Sequence, residues 1–458
     1  MSEEGEEGGE EGGLHRSLGF RDLVVYGLLF IAPMAPVGVF GTLTAKSHGA
    51  VALVYAVATV AMAFTAFSYA QMVRVVPRAG SVFAYARAGL GEGAGFIAGW
   101  MVLLDYLLIP AVAYLFSGIA MEALVPAVDR WVWTALAVVV TTGLNLWGVR
   151  AAAAVGFAVL AMEIAVLVVF VVTAVVVLAA DGARRGWAAP FTGEGPFSLA
   201  AVLGGVSVAV LSFLGFDAIA SFAEETAGGR GGSGPGEKVA RAVLFCLGVA
   251  GVLFVVQTYL AALLAPMSAA GLAARPATQG SAFYDTVDSA AGAWLHDLVA
   301  ASKAIGAAFA ALAGQAAAGR LLFAMARDRR LPRPLSRVSE PSGVPRRALL
   351  VSAAITLAAA VWAAVRDDGL DRLVSVVNVG ALSAFALLHL SVIGWFAVRR
   401  PAGGPPLRPV RHVLLPLLGL AITGAVILEA SGSAQLVGLV WVGVGLVTLA
   451  MQGVAARG

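Results

Sequence analysis

SFLGFDAIASFAEET, residues Ser212 to Thr226, sits inside an apolar run long enough to span a bilayer, yet it carries Gly215, Asp217, Glu224 and Glu225. A carboxylate at bilayer depth costs at least about 2.5–3.5 kcal/mol, so it persists only where it faces protein, water or a ligand. The stretch is therefore read as a site embedded in a membrane helix. Working outward, the rest of the chain bears out the membrane reading: of 458 residues, 60% are hydrophobic and only 12% charged, and the mean hydropathy is +0.90. Soluble domains carry about 25% charged residues.

The apolar runs are continuous, about 20 residues long and rich in Ala, Leu, Val and Gly, which predicts α-helices and excludes a barrel of alternating strands. Hydropathy predicts twelve: 22–45, 49–74, 94–124, 131–148, 154–180, 198–223, 240–264, 294–325, 348–365, 373–398, 412–428 and 436–452. An even count places both termini on one side. One set of loops holds Arg74, Arg78, Arg87, Arg150, Arg230, Lys238, Arg241, the Arg327 to Arg347 cluster and Arg399 to Arg411, while the opposite set is sparse in Lys and Arg. By the positive-inside rule both termini are expected in the cytoplasm and the protein in the cell membrane.

The acidic, Gly-rich residues 1–17 do not have the basic-then-apolar form of a cleavable signal peptide and are expected to be a disordered cytoplasmic tail. Cys246 is the single cysteine; it excludes an internal disulfide and a cysteine metal cluster and reads as apolar filler. The net charge of +3 follows from topology and points to no nucleic-acid partner. No phosphate loop, paired-histidine metal motif or nucleophile elbow occurs, so neither an enzyme nor a resident cofactor or metal is expected.

Several connections are more than links. Arg74 to Gly95 mixes basic residues with Phe83 and Tyr85, as a short amphipathic segment at the interface would. Gly228 to Gly236 reads as a flexible linker that frees the sixth helix from the seventh. Ser281 to Ala291 suits either a short capping helix or a plain loop. Two helix breaks stand at matching places, opening two blocks of five helices: Ile31 to Gly41 holds Pro33, Pro36, Gly38 and Gly41, and Gly215 stands beside Asp217. A proline removes a backbone donor and blocks the preceding turn. A matched pair of interrupted segments is the sign of an inverted-repeat transporter with a midplane site.

Five segments in order, PRAGSVFAYARAGLGEGAGFIAGW (77–100), NLWGVR (145–150), FLGFDAIASFAEET (213–226), GRLLFAMARDRRLP (319–332) and VNVGALSAFALLHLSVI (377–393), make the chain resemble the amino acid–polyamine–organocation permeases from about Leu18 to Gln452. LLDYLLIP (103–110) and NVGALSAF look most like the putrescine-importer branch. The resemblance implies a leucine-transporter-like 5+5 inverted repeat, with residues 18–180 and 198–398 as the two repeats and 409–458 as two extra helices and a short tail. It also implies alternating access and import of amino acids or amines, usually coupled to protons.

Two departures from the family pattern bear on substrate and coupling. The family's amino acid permeases commonly have a Gly-Ser-Gly-like break whose free amides hold a carboxylate; here the stretch runs Met34, Ala35, Pro36, Val37, Gly38, which puts carboxylate capture in doubt. Its cationic amino acid permeases have a fifth-helix Lys standing in for sodium; here Glu163 takes that position.

The expected substrate site comprises Ala35, Pro36, Val37 and Gly38 from the first break, Tyr106 from the third helix, and Phe213, Gly215, Phe216 and Asp217 from the sixth. Asp217 either receives an ammonium or only fixes the break. Tyr106 resembles the tyrosine associated with polyamine recognition and offers a cation–π face and a hydroxyl. Its neighbour Asp105 points about 100° away, so the two are not expected to line one pocket fully.

Glu163 is the coupling candidate; a static ion pair with Lys303 or a lipid-edge position are its alternatives. Glu224 and Glu225, near the cytoplasmic end of the sixth helix, are expected in gate pairs. Gln315, Asn378 and His389 read as interhelical bonds or packing, and the small-residue face 307–319 as a close helix contact. The reading favoured is an importer of a cationic amine or cationic amino acid, with a neutral amino acid permease or an exchanger as the rival and a channel or receptor-like protein as the more distant one.

Overall fold

The computed structural model describes residues 19–77, 81–147, 152–221, 226, 234–327, 332–337 and 345–455, and these are helical with no strand. The helices are α1 (Phe20–Ile31), α2 (Phe40–Lys46), α3 (Val51–Val75), α4 (Ser81–Gly89), α5 (Glu92–Leu124), α6 (Arg130–Trp147), α7 (Ala152–Asp181), α8 (Ala189–Thr192), α9 (Leu199–Ala209) and α10 (Ala218–Ser221). They continue with α11 (Pro235–Leu264), α12 (Ala269–Ala273), α13 (Ala282–Ala291), α14 (Ala293–Arg327), α15 (Arg346–Ala364), α16 (Gly369–Ile393), α17 (Leu415–Leu428) and α18 (Gly432–Ala455).

Eleven helical segments among the described residues are long and apolar enough to cross a membrane. They coincide with eleven of the twelve expected spans. The remaining one, α6, is a helix of 18 residues that Arg130, Asn145 and three threonines make less apolar than the rest. Ser281 to Ala291 takes its helical alternative as α13, and the basic connection after α3 contains α4. The acidic tail and most of the Gly228 to Gly236 linker lie outside the described residues.

The bundle has a centre and a rim. Helices α3, α5, α11, α14 and α16 form the centre, α3 packing along α11 and α5 along both α14 and α16. One face each of α7 and α18 carries exposed Val168, Val172, Val175 and Val176, and Leu436, Leu439, Val440 and Val447. Water would penalise such continuous apolar faces, whereas a bilayer accepts them.

The outermost helix is fastened by tryptophans. Trp100 of α5 and Trp441 of α18 stack at 4.8 Å, and each indole N–H donates to the other's backbone carbonyl, at 2.8 and 2.7 Å. At one end of the bundle Lys46 of α2 pairs with Asp371 of α16 at 2.7 Å. At the same end the segment between α7 and α9 acts as a strap. Arg185 pairs with Glu194 and donates to the Met267 carbonyl, Glu194 also accepts from the Ala269 amide at 2.8 Å, and burial holds the Arg185 guanidinium below its ordinary pKa.

Candidate functional site: two broken helices and their buried charges

The first break follows from its prolines. Helix α1 stops at Ile31, Ala32 takes a left-handed φ of 57°, and a 3-10 turn over Ala35–Gly38 leads to α2. Pro36 stands three residues after Pro33 and has no N–H to offer its carbonyl. Gln257 of α11 fills that vacancy, its amide donating to the Pro33 carbonyl at 2.9 Å. The next carbonyl, Met34, accepts from the Lys303 ammonium at 3.2 Å. The amides behave differently: those of Ala35, Val37 and Val39 bond back to Ala32, Met34 and Pro36 at 2.9, 3.2 and 3.1 Å. The break thus presents acceptors and few free donors.

The second break is built by Gly215. Helix α9 tightens into a 3-10 turn over Val210–Phe213, Leu214 is extended, and Gly215 adopts φ +110° before α10 begins. A Cβ on Gly215 would lie 2.7 Å from the Phe30 carbonyl oxygen at the end of α1, so the two breaks touch here and only glycine permits it. Asp217 holds the turn in shape: its carboxylate accepts from the Gly215 amide at 3.2 Å, and its own and the Ala218 amides also face it. Asn378 of α16 steadies the approach, donating to the Ser207 carbonyl at 2.7 Å.

The expected substrate residues separate into two groups. Pro36, Val37 and Gly38 are buried and Ala35 half-buried, with Gly38 against the Phe116 ring of α5, where a Cβ would sit at 2.6 Å. Tyr106 is half-buried on α5 and lies in the field of Asp217 and of its own neighbour Asp105. The adjacent positions diverge around the helix, yet both side chains remain within electrostatic reach of one carboxylate. Phe213 and Phe216, by contrast, turn into aromatic packing. Phe213 meets Phe254 at 5.0 Å and Tyr55 at 6.3 Å, and Phe216 meets Tyr69 at 5.7 Å and Phe385 at 5.9 Å.

Glu163 of α7 and Lys303 of α14 are each 3% exposed. They are electrostatic neighbours without an ion pair inside 4 Å, because the ammonium is engaged elsewhere. It bonds Met34 and sits 5.2 Å over the Phe116 ring. The Glu163 carboxylate rests against Gly306, one turn along α14 from Lys303. Glu224 and Glu225 lie outside the described residues.

The interhelical residues do what their chemistry suggests. Gln315 donates to Thr142 at 2.9 Å and accepts from Asn145 at 3.0 Å, and His389 bonds Ser68 at 2.9 Å beneath Gly419. On the small-residue face of α14, Gly314 admits Pro110 of α5, 3.2 Å from where a Cβ would stand. Gln257, Phe116 and the first-break contact of Lys303 are additions to the expected set. Gln257 was findable as a polar side chain inside an apolar span; Phe116 carries no such signal.

The family model for amino acid permeases matches residues 24–437. A low-affinity putrescine importer of Escherichia coli is 29% identical over 95% of this chain and 93% of its own length. A branched-chain amino acid permease of Bacillus subtilis is 28% identical over 84% of this chain and 81% of its own. The vacuolar cationic amino acid transporter 2 of Arabidopsis thaliana is 29% identical over 81% of this chain, which spans 59% of that longer protein. The chain is thus a multi-pass membrane protein belonging to the amino acid permease family of the amino acid–polyamine–organocation superfamily.

Proposed function

We propose that this permease is a secondary active importer of a cationic amine or amino acid, working by alternating access with proton coupling. The observation that carries the reading is the contact of the two helix breaks at Gly215 and Phe30. Irregular backbone at membrane depth is tolerated where it is buried in protein or lines a cavity, and paired breaks mark transporter sites. The pairings of α3 with α11, of α5 with α14 and of α6 with α15 join three helices of the first block to their counterparts in the second, as two inverted repeats would. They support a 5+5 arrangement plus two helices, and the Arg- and Lys-rich loops support both termini in the cytoplasm.

Substrate charge follows from the break chemistry. Carbonyls and carboxylates dominate while the prolines and the 3-10 bonds leave few amides, so the site suits an ammonium better than a carboxylate. Asp217, Tyr106 and the Ala35 to Gly38 backbone are the proposed contacts. Coupling is assigned to Glu163, a carboxyl buried beside the Lys303 ammonium that grips the first break; gain or loss of its proton alters the field on that grip. In proteoliposomes, an inwardly directed proton gradient is expected to concentrate labelled amine with wild type and not with Glu163→Gln. Normal gradient-driven accumulation by the variant removes Glu163 from the coupling role.

A further inference from the structure

Among the described residues, Asp105, Glu163 and Lys303 are the buried members of the Asp, Glu, Lys and Arg set, with Asp217 half-buried in the second break. Their engagements differ. Lys303 has the Met34 carbonyl and the Phe116 face, Glu163 has the nearby Lys303 charge, and Asp217 has the backbone amides of its own turn. Asp105 is 9% exposed, and its Oδ1 is fully buried with no hydrogen-bond partner. An orphaned carboxylate oxygen in a packed interior is costly and calls for a partner.

Its surroundings define that partner. Asp105 lies on α5 where Gly380 of α16 packs over its backbone, 3.5 Å from where a Cβ would stand, and it lies within electrostatic range of Asp217 in the second break. Tyr106 sits in the field of both carboxylates, and its ring and hydroxyl suit an ammonium as well. Two carboxylates at one locus do not both stay ionised without a cation between them. Asp105 and Asp217 together bring two carboxylates to this locus, the complement of a ligand with two ammonium groups.

We propose that Asp105 is the anchor for one ammonium of a short primary diamine, whose second ammonium lies on the Asp217 and Tyr106 side of the same locus. This rests on the reading of the protein as an amine importer and refines it: Asp217, already committed to the backbone of the break, shapes the locus and adds charge, while Asp105 supplies the free oxygen. A single-ammonium ligand satisfies only half of the locus, and an α-amino acid brings a carboxylate into a region that repels it.

The test is equilibrium binding of labelled 1,4-diaminobutane to the purified full-length protein in nanodiscs, with n-butylamine, L-lysine and L-leucine as competitors. Wild type is expected to prefer the diamine to n-butylamine by about tenfold or more, the scale of one charge-assisted hydrogen bond. Asp105→Asn is expected to weaken diamine binding by about tenfold or more and to abolish the preference over n-butylamine. Asp105→Glu, which keeps the charge, is expected to retain at least part of it. Thermal unfolding followed with a thiol-reactive dye at the buried Cys246 shows whether Asp105→Asn is folded.

A diamine preference that survives Asp105→Asn overturns the assignment. Saturable uptake of leucine with no diamine binding overturns the diamine site but leaves the transporter reading standing, whereas no saturable uptake of any of the four compounds overturns both.

Discussion

Adding a single methyl group at Gly215 tests the crossing of the two breaks. Gly215→Ala places a side chain at φ +110°, a backbone region that costs a non-glycine residue about 1–3 kcal/mol. Its Cβ would also fall 2.7 Å from the Phe30 carbonyl oxygen and 2.9 Å from the carbonyl carbon, and forcing such an overlap apart costs about another 1–3 kcal/mol. The expected destabilisation is therefore about 2–6 kcal/mol, reduced by less than about 1 kcal/mol through the stiffer unfolded chain. Gly424→Ala is the control, since it lies inside α17 with open space around it and is expected to be neutral or stabilising by up to about 1 kcal/mol. Unfolding can be followed with a thiol-reactive fluorogenic dye, because Cys246 is the single cysteine and is buried. Gly215→Ala is expected to expose Cys246 at a clearly lower temperature than either wild type or Gly424→Ala. Equal midpoints for the two alanine variants would refute the placement of Gly215 against α1.

Lys303→Met removes the bond to Met34 and the cation over Phe116 and leaves Glu163 without its neighbouring charge. Breaking one member of a buried charge system typically costs about 3–5 kcal/mol, and adding Glu163→Gln is expected to restore part of the loss; a single variant as stable as wild type in the Cys246 assay contradicts the electrostatic link. Trp441→Phe keeps the stacking on Trp100 but deletes one of the two reciprocal bonds, so a loss of about 0.5–1.5 kcal/mol is expected, with no change in substrate affinity. A changed affinity would mean that α18 reaches the site.

Where the fold was legible, the signals were steric and hydropathic. Pro33, Pro36 and Gly215 interrupt apolar runs, and each interruption is a break at that place in the structure because a missing N–H and a left-handed φ have the same consequence in any context. Side-chain destinations were less legible. Phe213 and Phe216 flank the second break in sequence but turn into aromatic packing with α3, α11 and α16, since the 3-10 turn redirects side chains that α-helical spacing would place elsewhere. Charge alone left a Glu163 and Lys303 ion pair open; the ammonium instead adds a second bond to the Met34 carbonyl, which already accepts from the Val37 amide, because the first break turns that carbonyl toward α14. Asp105 and Tyr106 diverge on a helical wheel, yet an irregular segment crossing nearby lets one carboxylate, Asp217, reach both.

The central claim is that substrate crosses by alternating exposure of a site at the two breaks. Counterflow tests it most directly: proteoliposomes preloaded with unlabelled amine are diluted into a trace of labelled amine with no ion gradient. The account predicts saturable entry of label, transient accumulation above equilibrium driven by exit of the unlabelled amine, and loss of both in Asp217→Asn. Entry that rises linearly with concentration at channel-like rates, with no acceleration by the preloaded amine, would contradict it.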